Sequence, residues 1–522
     1  MKEDIEISAA KYGLKVVKNL VSSFFVTERI QKIPYSFAKE HMVLPIYEEE
    51  GKLFVAISSP FSMEALEEVG FITNLEIQEV LASREEIEEA IDRCYHQKED
   101  AASVLMQTLQ DESKGKKALD FEDSHDLFEQ RSDSPVIQML NMMLMEATMQ
   151  GASDVHFEPL EQGMEVRYRI DGVLQMRHAP PKEYQAQIIA RIKVMSKLDI
   201  AEHRLPQDGR IKLRMGNREI DFRVSTVPTV FGERIVLRIL DKSNVLVGLN
   251  KLGIRQEVLD AFKKQICLSE GIVLVTGPTG SGKTTTLYSA LSEINSKEIN
   301  IMTIEDPVEY KLQGMAQIGV NPKIHLTFAT GLRHILRQDP DVIMIGEIRD
   351  KETALIAIQA SLTGHLVLST LHTNDAPSAL TRLVDMGIEQ YLLSSSVVGV
   401  LAQRLVRKIC AFCKESYTPT DKELLELSLK REDLEGGALF KGKGCEQCFH
   451  TGYKGRCGIY ELMPVGALIK RQIVQSADAA MLRKVAIESG MITLRQEGGL
   501  LVKKGLTTTK EVLRVSRGCD EE

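Results

Sequence analysis

The segment Gly277-Pro278-Thr279-Gly280-Ser281-Gly282-Lys283-Thr284 fits GxxxxGK[ST]. It lies between the apolar run Gly271-Ile272-Val273-Leu274-Val275 and a helix-forming stretch that starts Thr284-Thr285-Thr286-Leu287-Tyr288. Glycines let the backbone wrap an anion, while successive N–H groups and the helix N-terminus face a β-phosphate. Lys283 adds charge at the β- and γ-phosphates, and the Thr284 hydroxyl can take Mg2+. Thr285, next in the helix, completes the predicted nucleotide-binding set. A glycine-rich turn without a ligand is the bland alternative, and the flanking strand and helix weigh against it.

Hydrolysis also needs carboxylates at strand ends beside the loop. Val342-Ile343-Met344-Ile345 runs into Gly346-Glu347, a Walker B shape that puts Glu347 at the carboxyl end of a buried strand, where it can share Mg2+ with Thr284. Thr303-Ile304-Glu305-Asp306-Pro307-Val308-Glu309-Tyr310 presents a second group, Glu305, Asp306 and Glu309, around a proline. A solvated acidic loop is the alternative there. His365 and His372 bracket the strand-like Leu366 to Leu371; a histidine at a sheet's carboxyl end can sense a γ-phosphate, although taken alone each reads first as structural. The chain has no NKxD, HRD or DFG, which excludes a GTPase with a guanine determinant and a protein kinase.

Cys410-Ala411-Phe412-Cys413 and Cys445-Glu446-Gln447-Cys448 form two CxxC pairs 31 residues apart. The expected ligand is a structural Zn2+ with no open position. A thiol pair or loss of the metal are the alternatives, with His450 and Cys457 as nearby substitutes; Cys94, Cys267 and Cys519 read as ordinary thiols. Arg204, Arg210, Arg223, Arg234 and Arg238 cluster ahead of the phosphate loop, Arg223 and Arg238 on alternating strands. They could be solvated strand residues, or could bring guanidinium charge to a phosphate transition state. Arg333 and Arg337, at i and i+4, are predicted on one helical face suited to a subunit contact or a phosphate.

These groups need elements to hold them. At roughly 150 residues per domain, 522 residues suggest three or four domains. Residues 1–98 read as a small mixed domain with strands at Met42 to Ile46 and Lys52 to Ile57, then a helix capped by Ser83 with Glu86 closing the box. Residues 99–134 read as an acidic linker rather than a continuing helix. Residues 135–241 alternate half-buried strands with helices, an α+β domain opened by Ser134-Pro135 as N-cap and N1. Residues 242–522 read as an α/β core with a parallel sheet, interrupted by the cysteine insertion at 409–457. A composition of 43% hydrophobic and 27% charged residues fits a globular protein, and 65 basic against 74 acidic residues, with no tryptophan, provide no general attraction for nucleic acid. No apolar run approaches the roughly 20 residues that cross a bilayer, and the charged start lacks a signal-like core, so a cytoplasmic location is expected.

With these blocks in order, the chain resembles the secretion ATPase superfamily, the motors of type II secretion and type IV pilus assembly. The resemblance is carried by GPTGSGKTTTLY at 277–288, TIEDPVEY at 303–310, LRHILRQDPDVIMIGEIRD at 332–350 and TGHLVLSTLHTN at 363–374, with DVHFEP, RIDG, LPQDGR and FRVSTVPTVFGERIVLR ahead of them and the paired CxxC behind. It implies a RecA-like ATPase core covered by a PAS-like domain and preceded by a docking domain. By position it implies Glu309 as the water-activating residue, an atypical Walker B ending in Glu347, a histidine box at His365 and His372, and Arg223 and Arg238 reaching the nucleotide. Glu305, Asp306, Arg333, Arg337 and Arg349 fall at its sensor or interface positions. It further implies ATP, Mg2+ and Zn2+, a homo-hexamer, and a platform protein and an assembly protein at the inner membrane that pass work to pseudopilins. The cysteine pairs favour secretion or pilus assembly over pilus retraction; within that branch type II secretion is favoured, with pilus assembly as the alternative. A RecA-like DNA remodeller and a nonenzymatic scaffold are the readings from other classes.

Overall fold

Strands apolar at every position are buried on both faces, and those that alternate are buried on one. Ile301–Glu305, Val342–Ile345, Leu366–Leu371 and Gly271–Thr276 are buried throughout. Ile272, Leu274, Ile343 and Ile345 enter one core while Val273, Val275, Val342 and Met344 enter another, the alternation of a strand covered on both sides. These strands lie in a seven-stranded sheet in the order Ala316–Gly319, Ile301–Glu305, Val342–Ile345, Leu366–Leu371, Gly271–Thr276, Val397–Ile409, Tyr453–Pro464. Neighbours are parallel up to Val397–Ile409, and Tyr453–Pro464 runs antiparallel to it. The predicted parallel sheet is therefore mixed. The chain leaves Ile409 through the cysteine insertion and re-enters at Tyr453 opposite it, a hairpin connection, where a parallel partner would need a crossover.

The computed structural model describes residues 14–17, 20, 30, 33, 35–49, 52–59, 63–73, 75–96, 134–215, 218–241, 247–427, 429–434 and 437–516. The predicted linker at 99–134, apart from Ser134, and Cys519 lie outside them. The chain divides into two units, Met1–Ile170 with Leu174–Leu240, and Asp171–Val173 with Asp241–Glu522.

In the first unit, a four-stranded sheet has the order Lys15–Val16, Glu76–Leu81, Lys52–Ile57, Val43–Glu49. The predicted strand at Met42 starts one residue later, because Met42 itself adopts φ 51°. Ser83 Oγ accepts the Glu86 N–H at 3.2 Å where the helix Arg84–His96 begins. A six-stranded sheet follows, in the order Val173–His178, Gly163–Ile170, Ala152–Leu160, Gly232–Asp241, Arg218–Thr229, Gln207–Met215. Val155, Phe157, Val166, Tyr168, Phe222, Ile235 and Leu237 pack with Met139, Met143 and Ile192 of the helices Pro135–Met149 and Lys182–Met195. The alternating residues Asp154, His156 and Glu158 occupy the other face.

Candidate active site

Gly271–Thr276 ends at Gly277, whose φ of 152° and crowding require glycine: a Cβ there would meet the Gln403 main-chain oxygen at 2.6 Å. Pro278, Thr279, Gly280 and Thr284 are exposed, while Ser281 and Lys283 are buried and Gly282 and Thr285 half-buried. The helix Lys283–Ile294 starts from Gly282 without a side-chain cap, leaving its first N–H groups for an anion. Lys283 Nζ donates to Gly277 O at 2.7 Å and to Pro278 O at 3.1 Å. Burial lowers its pKa to about 8, against the pull of the Glu347 charge and with help from Arg404. A phosphate oxygen would replace neutral carbonyls with a charged acceptor, a stronger partner for the ammonium.

Glu347 follows Val342–Ile345 in a turn held by the Thr370 hydroxyl, which donates to Gly346 O at 2.6 Å, and by the Ile348 N–H, which donates to Thr370 O at 3.1 Å. Its side chain is 17% exposed; one oxygen accepts from Arg349 and the other lies 3.2 Å from His372 Nε2. Asp306 is near enough for its charge to act on Arg349. The carboxyl edge of the sheet thus gathers Lys283, Glu347, Arg349, His372 and Asp306, and the exposed Thr284 hydroxyl belongs to the same loop-helix junction.

Glu305 has another occupation. It accepts from the Tyr288 hydroxyl, from Thr303 Oγ1 at 2.6 Å and from Gln317 Nε2 at 3.0 Å, so both oxygens are held by protein donors. The rings of Tyr288 and Tyr310 meet edge-on at 5.2 Å. Tyr288 therefore joins the helix that begins with Lys283 to Glu305 and to the Tyr310 ring, a role invisible in sequence because the residues it joins are 17 or more positions away. Thr373 was likewise missed: its hydroxyl lies 2.6 Å from the Thr276 hydroxyl, joining two strand ends.

Other predicted residues are not brought to this edge. His365 precedes Leu366–Leu371 at the amino end, about 20 Å from His372 at strand rise. Its Nδ1 lies 2.9 Å from Ala360 O and 3.2 Å from Thr363 Oγ1. The helix Phe328–Ile335 ends before Arg337, so the predicted pair on one helical face is not formed; Arg337 Nη1 reaches back to Arg333 O at 3.1 Å and Arg333 pairs with Glu352.

In the first unit, the polar face of the six-stranded sheet is a charge ladder. Asp154 accepts from Arg238 at 3.1 Å and lies 3.5 Å from Arg169. Glu158 takes Arg167 at 2.7 Å and Arg234 at 2.6 Å. Burial would raise the Glu158 pKa, but the Arg167 hydrogen bond and the charges of Arg234 and Arg167 hold it below the ordinary value. Arg223 stands opposite Arg210 on the next strands.

The sulfurs of Cys410, Cys413, Cys445 and Cys448 all lie within 4.8 Å of one another, with pairs at 3.9, 3.8 and 3.7 Å. Tetrahedral ligands at the usual Zn–S distance stand about 3.8 Å apart, so the residues fit zinc. N–H groups of Gly444, Cys445 and Gly452 donate to Cys413 or Cys448 sulfur, each at 3.3 Å. His450 and Cys457 are not part of this group; Cys457 sits in the strand opposite Val406.

A mostly parallel sheet with a strand–GxxxxGKT–helix unit and a carboxylate at the neighbouring strand end defines a P-loop nucleotide-binding protein. Residues 129–514 match the family described as Type II/IV secretion system protein, and residues 26–101 match the MshEN domain. Type II secretion system ATPase E of Vibrio cholerae serotype O1 is 46% identical over 495 residues, covering 94% of this chain and 97% of that protein. Type IV pilus assembly ATPase PilB of Myxococcus xanthus is 43% identical over 505 residues, 96% of this chain and 89% of that protein. The X-ray structure of the Yersinia pseudotuberculosis ATPase DotB, 22% identical with a TM-score of 0.54, covers 73% of this chain and 93% of that one and shares its fold. The chain belongs to the type II/IV secretion system protein family, a family of ATP-hydrolysing enzymes.

Proposed function

We propose that this chain is the ATP-hydrolysing motor of a type II secretion system, working as a homo-hexamer on the cytoplasmic side of the bacterial inner membrane. There it drives pseudopilus assembly and protein export through an assembly protein and a polytopic platform protein. The supporting observation is the convergence of Lys283, Glu347 and His372 at one sheet edge in a chain of which 94% aligns with a type II secretion ATPase. Among the described residues no helix is long and apolar enough to cross a membrane, which fits attachment through partners.

Gly277 to Thr285 hold the phosphates of ATP by main-chain N–H groups and Lys283. Thr284 and Glu347 hold Mg2+, which when bound neutralises charge on the transferring phosphoryl group. Glu309, whose neighbour Tyr310 packs on Tyr288, orients the attacking water, and Arg223 and Arg238 supply guanidinium charge to the phosphates, Arg238 by giving up Asp154. The four cysteines hold Zn2+ in a closed set that supports the fold of the insertion and takes no part in turnover.

Phosphate release by the full chain with Mg2+, with and without membranes containing the platform and assembly proteins, tests the reading. Activity raised by those membranes supports it, and absence of turnover in a folded oligomer overturns it. Pilus assembly is kept as a second reading because the match to the PilB ATPase covers 96% of the chain. Co-purification with pseudopilus rather than pilus components decides between them.

A further inference from the structure

The strand Val397–Ile409 lies beside Gly271–Thr276 with Ala402 opposite Thr276, so Gln403 stands where the sheet stops and the phosphate loop begins. It is 1% exposed, and both amide atoms are engaged. Nε2 donates to the Ser281 main-chain oxygen at 2.7 Å, and Oε1 accepts from the Thr286 hydroxyl at 2.8 Å. A main-chain oxygen can only accept, so the NH2 end must face Ser281, and this decides how the amide is turned. The fit is close: a Cβ on Gly282 would lie 3.2 Å from Nε2.

A trans peptide holds its C=O and N–H on opposite sides. Tying the Ser281 oxygen outward to Gln403 therefore aims the Gly282 N–H the other way, into the loop. The Thr286 bond fixes the first turn of the helix Lys283–Ile294 to the same anchor. Arg404, the next residue, points to the other side, where its Nη2 bonds Asn374 O at 2.6 Å, so the anchoring strand is itself tied to the segment after His372.

We propose that Gln403 is a positioning residue for phosphate binding. It sets the direction of the Gly282 N–H and the start of the helix, and thereby the affinity for the phosphates of a nucleoside di- or triphosphate, without touching the ligand. This deepens the nucleotide-motor reading above and rests on it.

The test is calorimetric MgADP binding and steady-state ATP turnover with the full chain. Gln403→Met keeps the length of the side chain and removes both bonds; Gln403→Glu keeps the acceptor for Thr286 but sets an oxygen against the Ser281 oxygen. The dissociation constant for MgADP is expected to rise about tenfold in Q403M and further in Q403E, with KM for ATP rising in parallel and kcat staying within about threefold. A residue that only supported the fold would lower the nucleotide-free unfolding temperature and leave the affinity of folded protein unchanged. Parental MgADP affinity in Q403M overturns the proposal. Should Q403M fail to fold, Thr286→Val against Thr286→Ser decides: weaker binding in T286V but not in T286S supports it, and parental affinity in both overturns it. A parental chain that binds no MgADP overturns the nucleotide reading as well, whereas parental binding matched by Q403M overturns only the role of Gln403.

Discussion

The phosphate loop and the cysteine cluster use the same local device and end in opposite states. In each, glycine-bearing turns aim main-chain N–H groups at a place for an ion: Gly444 and Gly452 donate to sulfur, and the Gly277 to Gly282 turn opens onto an uncapped helix start. The cysteines close their set, all four sulfurs within 4.8 Å, so an ion held there has no free face. The loop stays open, with Pro278, Thr279 and Gly280 exposed and Lys283 held meanwhile by the carbonyls of Gly277 and Pro278. One site is built to retain its ion and the other to exchange its ligand, and the number of ligands that converge decides which.

The sharpest way to break that contrast is to open the closed site. Cys413→Ser is expected to reduce zinc from one per chain to near zero and unfold the insertion, since structural zinc sites contribute on the order of 10 kcal/mol. Metal analysis and limited proteolysis between residues 410 and 452 check it. An insertion that stays protease-resistant without metal would show that packing rather than zinc holds it. The opposite outcome is expected at the open site: Lys283→Ala should keep the nucleotide-free fold, because a buried charge is removed, while turnover falls about a thousandfold, or ~4 kcal/mol. Glu347→Gln should retain MgATP and lose about a hundredfold in turnover. Paired binding and phosphate-release measurements separate these two variants.

Why the sequence shows some of this and not the rest follows from distance along the chain. The phosphate loop and each CxxC are runs of neighbouring residues, so spacing alone carries their chemistry. Gln403 reaches Ser281 and Thr286 across 122 and 117 positions, and its only local sign is a polar Gln-Arg pair inside an apolar strand. Glu305 and Glu309 look equivalent in TIEDPVEY, yet the buried strand end delivers Glu305 to Tyr288, Thr303 and Gln317. The antiparallel edge strand was hidden by the insertion, because a connection of more than 40 residues, with its own helix Asp421–Glu426 and its own strand pair Lys414–Tyr417 and Leu439–Gly442, does not announce a hairpin.

A subtler test of the exchangeable site uses pH. In the nucleotide-free chain burial holds Lys283 at about 8, below the ordinary lysine value. The unfolded chain therefore binds more protons than the folded one above that pH, and the free fold gains stability as pH rises from about 8 toward the ordinary value. Phosphate binding favours the charged ammonium and must raise this pKa, so above pH 8 binding takes up a proton and MgADP affinity is expected to fall by up to about tenfold per pH unit. Glu347→Gln removes a charge that supports the ammonium and should move the onset to lower pH. A flat affinity profile from pH 7 to 9.5 would mean that Lys283 is already fully charged in the free loop.

The smallest effect is expected where two like residues sit at unlike ends of one strand. His372 lies against Glu347, so His372→Ala should lower turnover about tenfold by freeing that carboxylate to swing. His365→Ala loses contacts to Ala360 and Thr363 at the far end, a matter of about 1 kcal/mol of stability with turnover within about twofold. Comparing both variants at equal subunit concentration, above and below the concentration at which subunits associate, makes the result decisive. If His365→Ala lowers turnover only in the associated form, the amino edge of the sheet serves a neighbouring subunit, and the division between working and supporting ends of the strand holds for the single chain but not for the associated form.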